Sequence, residues 1–326
     1  MTEPTHPLRI AAAPISWGVC EVPGWGHVLG APTVLQQMSA LGLAATEFGP
    51  PGYLPSEPER LRELLSPYGI TAIGGFLALV LHERPQDACA TARANAEKFA
   101  AAGAEVLVLA AATGAEGYDS RPVLDERQWR TLVETAAAVR DIAAEAGLRT
   151  VLHPHVGTLV ETEAEVERLL ADSDLDLCLD TGHLLIGGTD PVGLARRYPE
   201  RIGHIHLKDV RADLADRIRS GAMEYSVAVR EGLFVPLGDG DIDIEALVRY
   251  VHEAGYRGWY VLEQDTALAP SDTAAGPSRD AERSLRRLEH IGAAMVSAGI
   301  TGLPQASPSM TASAASVITH ARSFPK

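Results

Sequence analysis

A single (β/α)8 TIM barrel is the fold this 326-residue sequence predicts, and three observations predict it. Short strand-like apolar runs alternate eight times with stretches of helical periodicity, the pattern of a parallel sheet with crossover helices. Gly42, Gly69, Gly103, Gly147 and Gly255 each stand near a helix end just before a strand, where a helix C-cap belongs. Four polar clusters follow strand-like runs: His153-Pro154-His155, Asp180-Thr181-Gly182-His183, His204-Ile205-His206-Leu207-Lys208-Asp209 and Glu263-Gln264-Asp265. A doubly wound open sheet would want a glycine-rich phosphate loop after its first strand. The segment Ala13-Pro14-Ile15-Ser16-Trp17-Gly18 is not one.

The elements follow in order. A strand over 9–13 precedes a helix over 32–41, and a strand over 45–48 precedes a helix over 57–68. Apolar runs at 70–76 and 106–110 give strands three and four, with helices expected over 87–102 and 126–146. Strands at 150–155, 175–180 and 202–207 alternate with helical patterns at 163–170 and 191–197. A helix over 244–254, a strand over 259–263 and a closing helix over 279–297 complete the set. Residues 1–300 thus read as one barrel. The tail, 301–326, is rich in Ser, Ala, Thr and Pro and is expected to be disordered or loosely packed. The segment 211–236 is long for a βα connection and is expected to hang over the barrel mouth as a partial lid. Within 238–243, Gly-Asp-Gly-Asp-Ile-Asp lacks the twelve-residue ligand pattern of a calcium loop, and reads as a turn with Asp243 capping the next helix.

Composition bounds the function. Hydrophobic residues make up 46% and charged residues 22%, ample for a full core. A formal charge of −15 argues against a nucleic-acid surface and against anionic membranes. Cys20, Cys89 and Cys178 show no paired spacing and read as reduced thiols of a cytoplasmic protein. The first residues lack the regions of a signal peptide, and no run reaches membrane-spanning length.

Ionisable groups at the ends of buried strands cost several kcal/mol if left unpaired, roughly, and a burial-driven strand gains nothing from them. Convergence on one divalent cation removes the conflict. In a barrel, residues at C-terminal strand ends share one mouth, and period-two geometry puts His153 with His155, and His204 with His206, on common faces. One ligand from each of strands five to eight gives a half ring of donors. Mixed N and O donors without thiolate suit Mn2+, Co2+, Mg2+ or Zn2+.

Asp180-Thr-Gly-His183, His204-Ile-His-Leu-Lys-Asp209, Pro236-Leu-Gly-Asp-Gly-Asp-Ile-Asp243 and Val261-Leu-Glu-Gln-Asp265 resemble the sugar phosphate isomerase/epimerase family of xylose isomerase-like barrels. Within it, Ala13-Pro-Ile-Ser-Trp-Gly18, Thr46-Glu-Phe-Gly49 and His153-Pro-His-Val-Gly-Thr158 are similar to the inosose dehydratase branch. The likeness spans about 9–289. It implies a metal-dependent lyase that dehydrates a keto-cyclitol, with Mn2+ or Co2+ foremost, by α-proton abstraction and a metal-stabilised enediolate. Asp180, His206 and Glu263 match three family metal ligands. The fourth position, on strand five, is usually Glu in the epimerase and isomerase branches and is His153 here, which fits the dehydratase branch; His155 is the alternative ligand from this strand. The same motif set supports an epimerase or isomerase of a ketose or 3-keto sugar, including elimination on 3-keto-C-glycosides. A non-catalytic sugar-binding barrel is the reading from another class. The resemblance also implies pairing into a homodimer.

The chemistry then assigns the rest. Glu263 or His183 takes the α-proton, and Lys208 or His155 serves as acid or electrophile toward the departing β-hydroxyl. A dication beside Lys208 should lower its pKa, and an ion pair with Asp209 or a neighbouring carboxylate is its other reading. Glu47 binds hydroxyls or acts as a second acid/base, with His155, His183 and Lys208 also facing substrate. Trp17, with Trp25 nearby, offers a ring face to the C–H face of a cyclitol. His27, His82 and His252 are expected to be solvated.

Overall fold

Eight parallel strands close on themselves in sequence order, the eighth pairing with both the seventh and the first. The computed structural model describes residues 8–20, 22–115 and 117–300. The strands are Arg9–Ala12, Ala45–Glu47, Thr71–Leu79, Val106–Ala111, Arg149–Leu152, Asp176–Asp180, Ile202–Leu207 and Trp259–Leu262. All eight fall where the apolar runs place them. Strand five ends at Leu152, so His153 and His155 stand beyond it, and Pro154 between them brings no N–H to a ladder. The 301–326 tail lies outside the described residues.

Helices wrap the barrel: Ala31–Ala40, Pro58–Leu65, Pro85–Ala101, Glu126–Glu145, Glu163–Asp172, Pro191–Arg197, Ile244–Glu253 and Ala275–Ser297. Local chemistry sets their ends. Asp125 and Gln128 form a reciprocal capping box, and the Asp243 carboxylate accepts from the Ala246 N–H, as the turn reading requires. The five glycines expected at helix ends all adopt positive φ, from 66° at Gly69 to 101° at Gly255.

Burial falls into two zones. The larger core lies between strands and helices, with Leu107, Leu109, Leu132 and Val139 among its fully buried members. Inside the barrel, small clusters fill the floor: Ala11, Ala13, Ala45, Ile73 and Val261, then Val106, Val108, Val151 and Cys178.

The segment 211–236 carries structure that its composition did not reveal. Asp209–Val210 and Phe234–Val235 form an antiparallel ribbon, and helices Ala212–Arg219 and Tyr225–Arg230 lie between them. Asp209 anchors the base of this excursion: its carboxylate accepts from the N–H groups of Val210, Gly238, Gly240 and Ile242. A side chain at Gly240 would meet Asp209 Oδ1 at 2.3 Å, so only glycine fits.

Candidate active site

The C-terminal ends of strands five to eight bring the expected donors together. Register pairs Asp180 with His206 and His206 with Val261, so Glu263 stands two residues beyond that layer. Asp180 Oδ2 lies 3.3 Å from His153 Nε2 and 3.6 Å from His206 Nδ1. Glu263 Oε2 lies 2.5 Å from the same Nδ1. One ligand atom each from Asp180, His206 and Glu263 falls within 4.8 Å of the others, and the same holds for His153, Asp180 and His183. Asp180 joins the two sets. Its other oxygen accepts from the His183 N–H and caps helix Thr181–Ile186, so folding fixes the direction of Oδ2.

Two observations fit these residues to a divalent ion. His206 Nδ1 and Glu263 Oε2 are buried, and neither has a hydrogen-bond partner although they almost touch. Such an approach suits two ligands of one ion. Negative charge is also in surplus, because Asp180, Glu263 and Asp265 surround a single ammonium, that of Lys208, and Glu47 adds a further carboxylate beside His204 and His206. A dication balances that surplus.

Lys208 is fully buried. Its Nζ contacts Asp265, lies 3.0 Å from Glu263 Oε1 and 3.7 Å from Asp180 Oδ2. Burial alone would lower its pKa, but Asp265, Glu263 and Asp180 outweigh it and hold the ammonium well above its ordinary range. The lowered value expected from a dication is therefore not the state of these residues by themselves. Nor is Asp209 its partner, being committed to the backbone of 210–242.

His155 donates Nδ1–H to the Val156 carbonyl at 2.7 Å, which leaves a lone pair on Nε2. Burial, His153 and Lys208 lower its pKa to about 3, against an opposing push from the Val156 carbonyl. A neutral imidazole of this tautomer accepts protons, so the geometry favours base over acid. His183 packs behind it with ring centroids 3.7 Å apart, and burial with the neighbouring His155 keeps it neutral too. It is almost wholly buried and does not line the cavity.

That cavity, partly open to solvent, is bounded by Glu47, His153, His155, His206, Glu263 and Asp265 on one side. Pro14, Ile15, Val19, Trp25, Pro50, Phe76 and Tyr118 bound it elsewhere. Trp17 is not among them. It is completely buried, its Nε1 donating to Ser278 Oγ at 3.1 Å, so the expected substrate-facing tryptophan is corrected to Trp25. Both indoles sit in the first loop, and only the Ser278 contact from the last helix separates core anchor from wall.

A model of the xylose isomerase-like TIM barrel family matches residues 35–291. The chain belongs to this family. Inosose dehydratase of Geobacillus kaustophilus (strain HTA426) is 34% identical over 305 residues, covering 89% of this chain and 97% of that one. Rhizopine catabolism protein MocC of Rhizobium meliloti is 33% identical, covering 79% and 82% respectively. The solved structure of an L-ribulose 3-epimerase superposes with a TM-score of 0.64 at 16% identity, covering 92% of this chain and all of that one, which speaks for the fold alone.

Three features of this xylose isomerase-like barrel escaped the sequence reading. Asp265, quoted only within a motif, accepts from Tyr225 Oη at 2.6 Å as well as pairing with Lys208. Tyr225 belongs to the 211–236 excursion, and its ring packs 6.1 Å from those of Trp25, Tyr118 and His183. The lid therefore reaches down into the site. Glu47 crosses the barrel to strand seven, where Oε1 meets His204 Nε2 at 2.9 Å and His206 Nε2 at 3.1 Å. His82 and His252, expected in solvent, are buried at 5% and 1% exposure. Among the described residues Cys20, Cys89 and Cys178 form no disulfide, and burial pushes the Cys178 thiol up to about 12. Among the described residues no helix is long and apolar enough to cross a membrane.

Proposed function

We propose that this protein is a metal-dependent lyase that removes water from a keto-cyclitol, as its inosose dehydratase relatives are named for doing. The observation that carries the reading is the convergence of Asp180, His206 and Glu263, joined to His153 through Asp180, with two ligand atoms unpartnered, beside a cavity that His153, His206 and Glu263 line. These four residues would hold the ion, which when bound supplies a Lewis acid for the substrate carbonyl. Mn2+ or Co2+ suits the donor set, as do Mg2+ and Zn2+.

The chain's own residues do the remaining work. His155 takes the α-proton at Nε2, the atom its tautomer leaves bare. Lys208 holds Glu263 Oε1 and offers an ammonium proton toward the leaving hydroxyl, and Asp265 fixes the Lys208 head. His183 buttresses His155 from behind. Trp25, Phe76 and Tyr118 give the apolar ring faces that suit the C–H edge of a cyclitol and keep water out. Histidine at the strand-five position disfavours the alternative in which two glutamates pass a proton across a ketose.

The test is turnover of scyllo-inosose by Mn2+- or Co2+-loaded protein, read as a diketone absorbing in the near ultraviolet and by proton NMR in D2O. Loss of water with α-deuteration is expected. Deuterium entering a panel ketose with no water loss would replace this reading by the epimerase one, and a protein that acts on no compound while holding no ion would leave a binding barrel.

A further inference from the structure

Glu47 stands on the wrong strand to be a family ligand, and its surroundings explain why it is there. It ends strand two, across the barrel from strand seven, and is almost wholly buried. Two features let its side chain make the crossing. The ladder between strands two and three shifts register between Thr46 and Glu47, while Thr46 Oγ1 ties the strand to the Ala12 carbonyl at 3.0 Å. Gly74 on strand three lies beside the carboxylate: a Cβ there would be in ordinary contact with Glu47 Oε1 at 3.6 Å and tight against the Val106 carbonyl at 3.2 Å.

At the far end, one carboxylate oxygen receives two imidazoles, from His204 Nε2 and His206 Nε2. An oxygen that serves two ring nitrogens can do so as acceptor from two N–H groups. With a proton of His206 held on Nε2 by Glu47, Nδ1 is the nitrogen left to give up its proton to a metal ion. That nitrogen is the buried atom without a hydrogen-bond partner, facing Asp180 Oδ2 and Glu263 Oε2. A ring held from behind by a carboxylate, with its other nitrogen aimed at the ligand cluster, is the arrangement by which proteins fix the orientation and basicity of a metal-binding histidine.

We infer that Glu47 is a positioning residue that orients His206 for the metal through Nδ1. The inference rests on an ion binding at His153, Asp180, His206 and Glu263. His204 completes the arrangement by meeting the same oxygen, so the carboxylate, which also borders the cavity, is held toward strand seven.

The test measures metal and leaves substrate aside. Full-length wild type and Glu47→Gln are freed of metal and titrated with Co2+, following the visible absorption of the bound ion against a competing chelator. Wild type should take up one Co2+ per chain, and the variant should bind it about 10- to 100-fold more weakly. In parallel, long-range proton–nitrogen NMR of Zn2+-loaded wild type with 15N-histidine should show His206 protonated at Nε2 and metal-bound at Nδ1. This second measurement stands whether or not the variant folds. Wild-type Co2+ affinity in Glu47→Gln, or His206 bound through Nε2, overturns the inference while leaving the metal reading intact. A wild type that binds no Co2+ overturns both.

Discussion

The two halves of the barrel mouth are built from different chemistry. Strands one to four present Ala11, Ala13, Ala45, Ile73, Gly74, Phe76, Val106 and Val108 to the interior, whereas strands five to eight present Val151, Cys178 and Val261 at the floor and His153, Asp180, His204, His206 and Glu263 above them. One half is almost all apolar and the other carries nearly all the ionisable groups. Charge confined to one side can be cross-compensated by a single ion and a single lysine. An equal number of ionisable groups spread around the ring would each need its own partner. Under the proposed function, the apolar half would be the surface against which a substrate is pressed. Glu47 is the exception that ties the halves together.

The contrast breaks most sharply if a ligand is removed. Asp180→Asn preserves the helix cap, because asparagine caps as well as aspartate, and deletes the charge facing His153, His206 and Lys208. It should lose stoichiometric metal by elemental analysis and about a thousand-fold in kcat/KM, the equivalent of roughly 4 kcal/mol of lost charge stabilisation. Folded protein with near wild-type turnover would show that the ligand half carries no chemistry. Tyr225→Phe keeps the ring contacts and removes one donor from Asp265. About a ten-fold drop in kcat/KM is expected, in line with roughly 1.5 kcal/mol for a hydrogen bond to a charged group, with metal content unchanged. On the wall side, Phe76→Ala should raise KM several-fold, of order 1 kcal/mol of lost contact, and leave Co2+ affinity as in wild type. Weakened metal binding in that variant would mean that the halves are not separable.

The smallest effect lies outside the mouth. Arg121 bridges the loop after strand four to Glu161 and Glu165 at the start of helix Glu163–Asp172. Burial would raise the Glu165 pKa, but the Thr162 N–H, Arg121 and the Glu161 N–H outweigh it and hold the carboxyl below its ordinary value. A carboxyl lowered on folding stabilises fully above the unfolded value of about 4.3 and loses that contribution as pH falls through the folded value. Thermal melts should therefore show wild type losing its advantage over Glu165→Gln below about pH 4. Curves that stay parallel through that range would show that the bridge contributes nothing.

How far the sequence could be read follows the same division. The ligand half is legible because each donor follows its own strand: once eight runs are counted, Asp180, His206 and Glu263 have to meet at one rim. The contacts that join distant segments are not legible. That Tyr225 reaches Asp265 depends on the fold of two short helices inside the 211–236 excursion, and that Glu47 reaches His206 depends on barrel closure. Trp17 and Trp25 share residue type and loop, and only tertiary partners decide which is core. Lys208 illustrates the limit from the other side: an ion pair with Asp209 or a neighbouring carboxylate is legible, while its choice of Asp265 over the adjacent Asp209 is set by four backbone N–H groups 1 to 33 residues along the chain from Asp209.

Those four N–H groups have a consequence for how such a barrel can change. By pinning Val210 to Gly238, Gly240 and Ile242, Asp209 draws the neck of the excursion shut, independently of whatever lies between. With its ends already joined, a doubling of the intervening chain costs only about 0.6 kcal/mol in closure entropy. The length of the cap over the mouth can thus change at little cost to the strand that carries His206 and Lys208, provided Tyr225 still reaches Asp265.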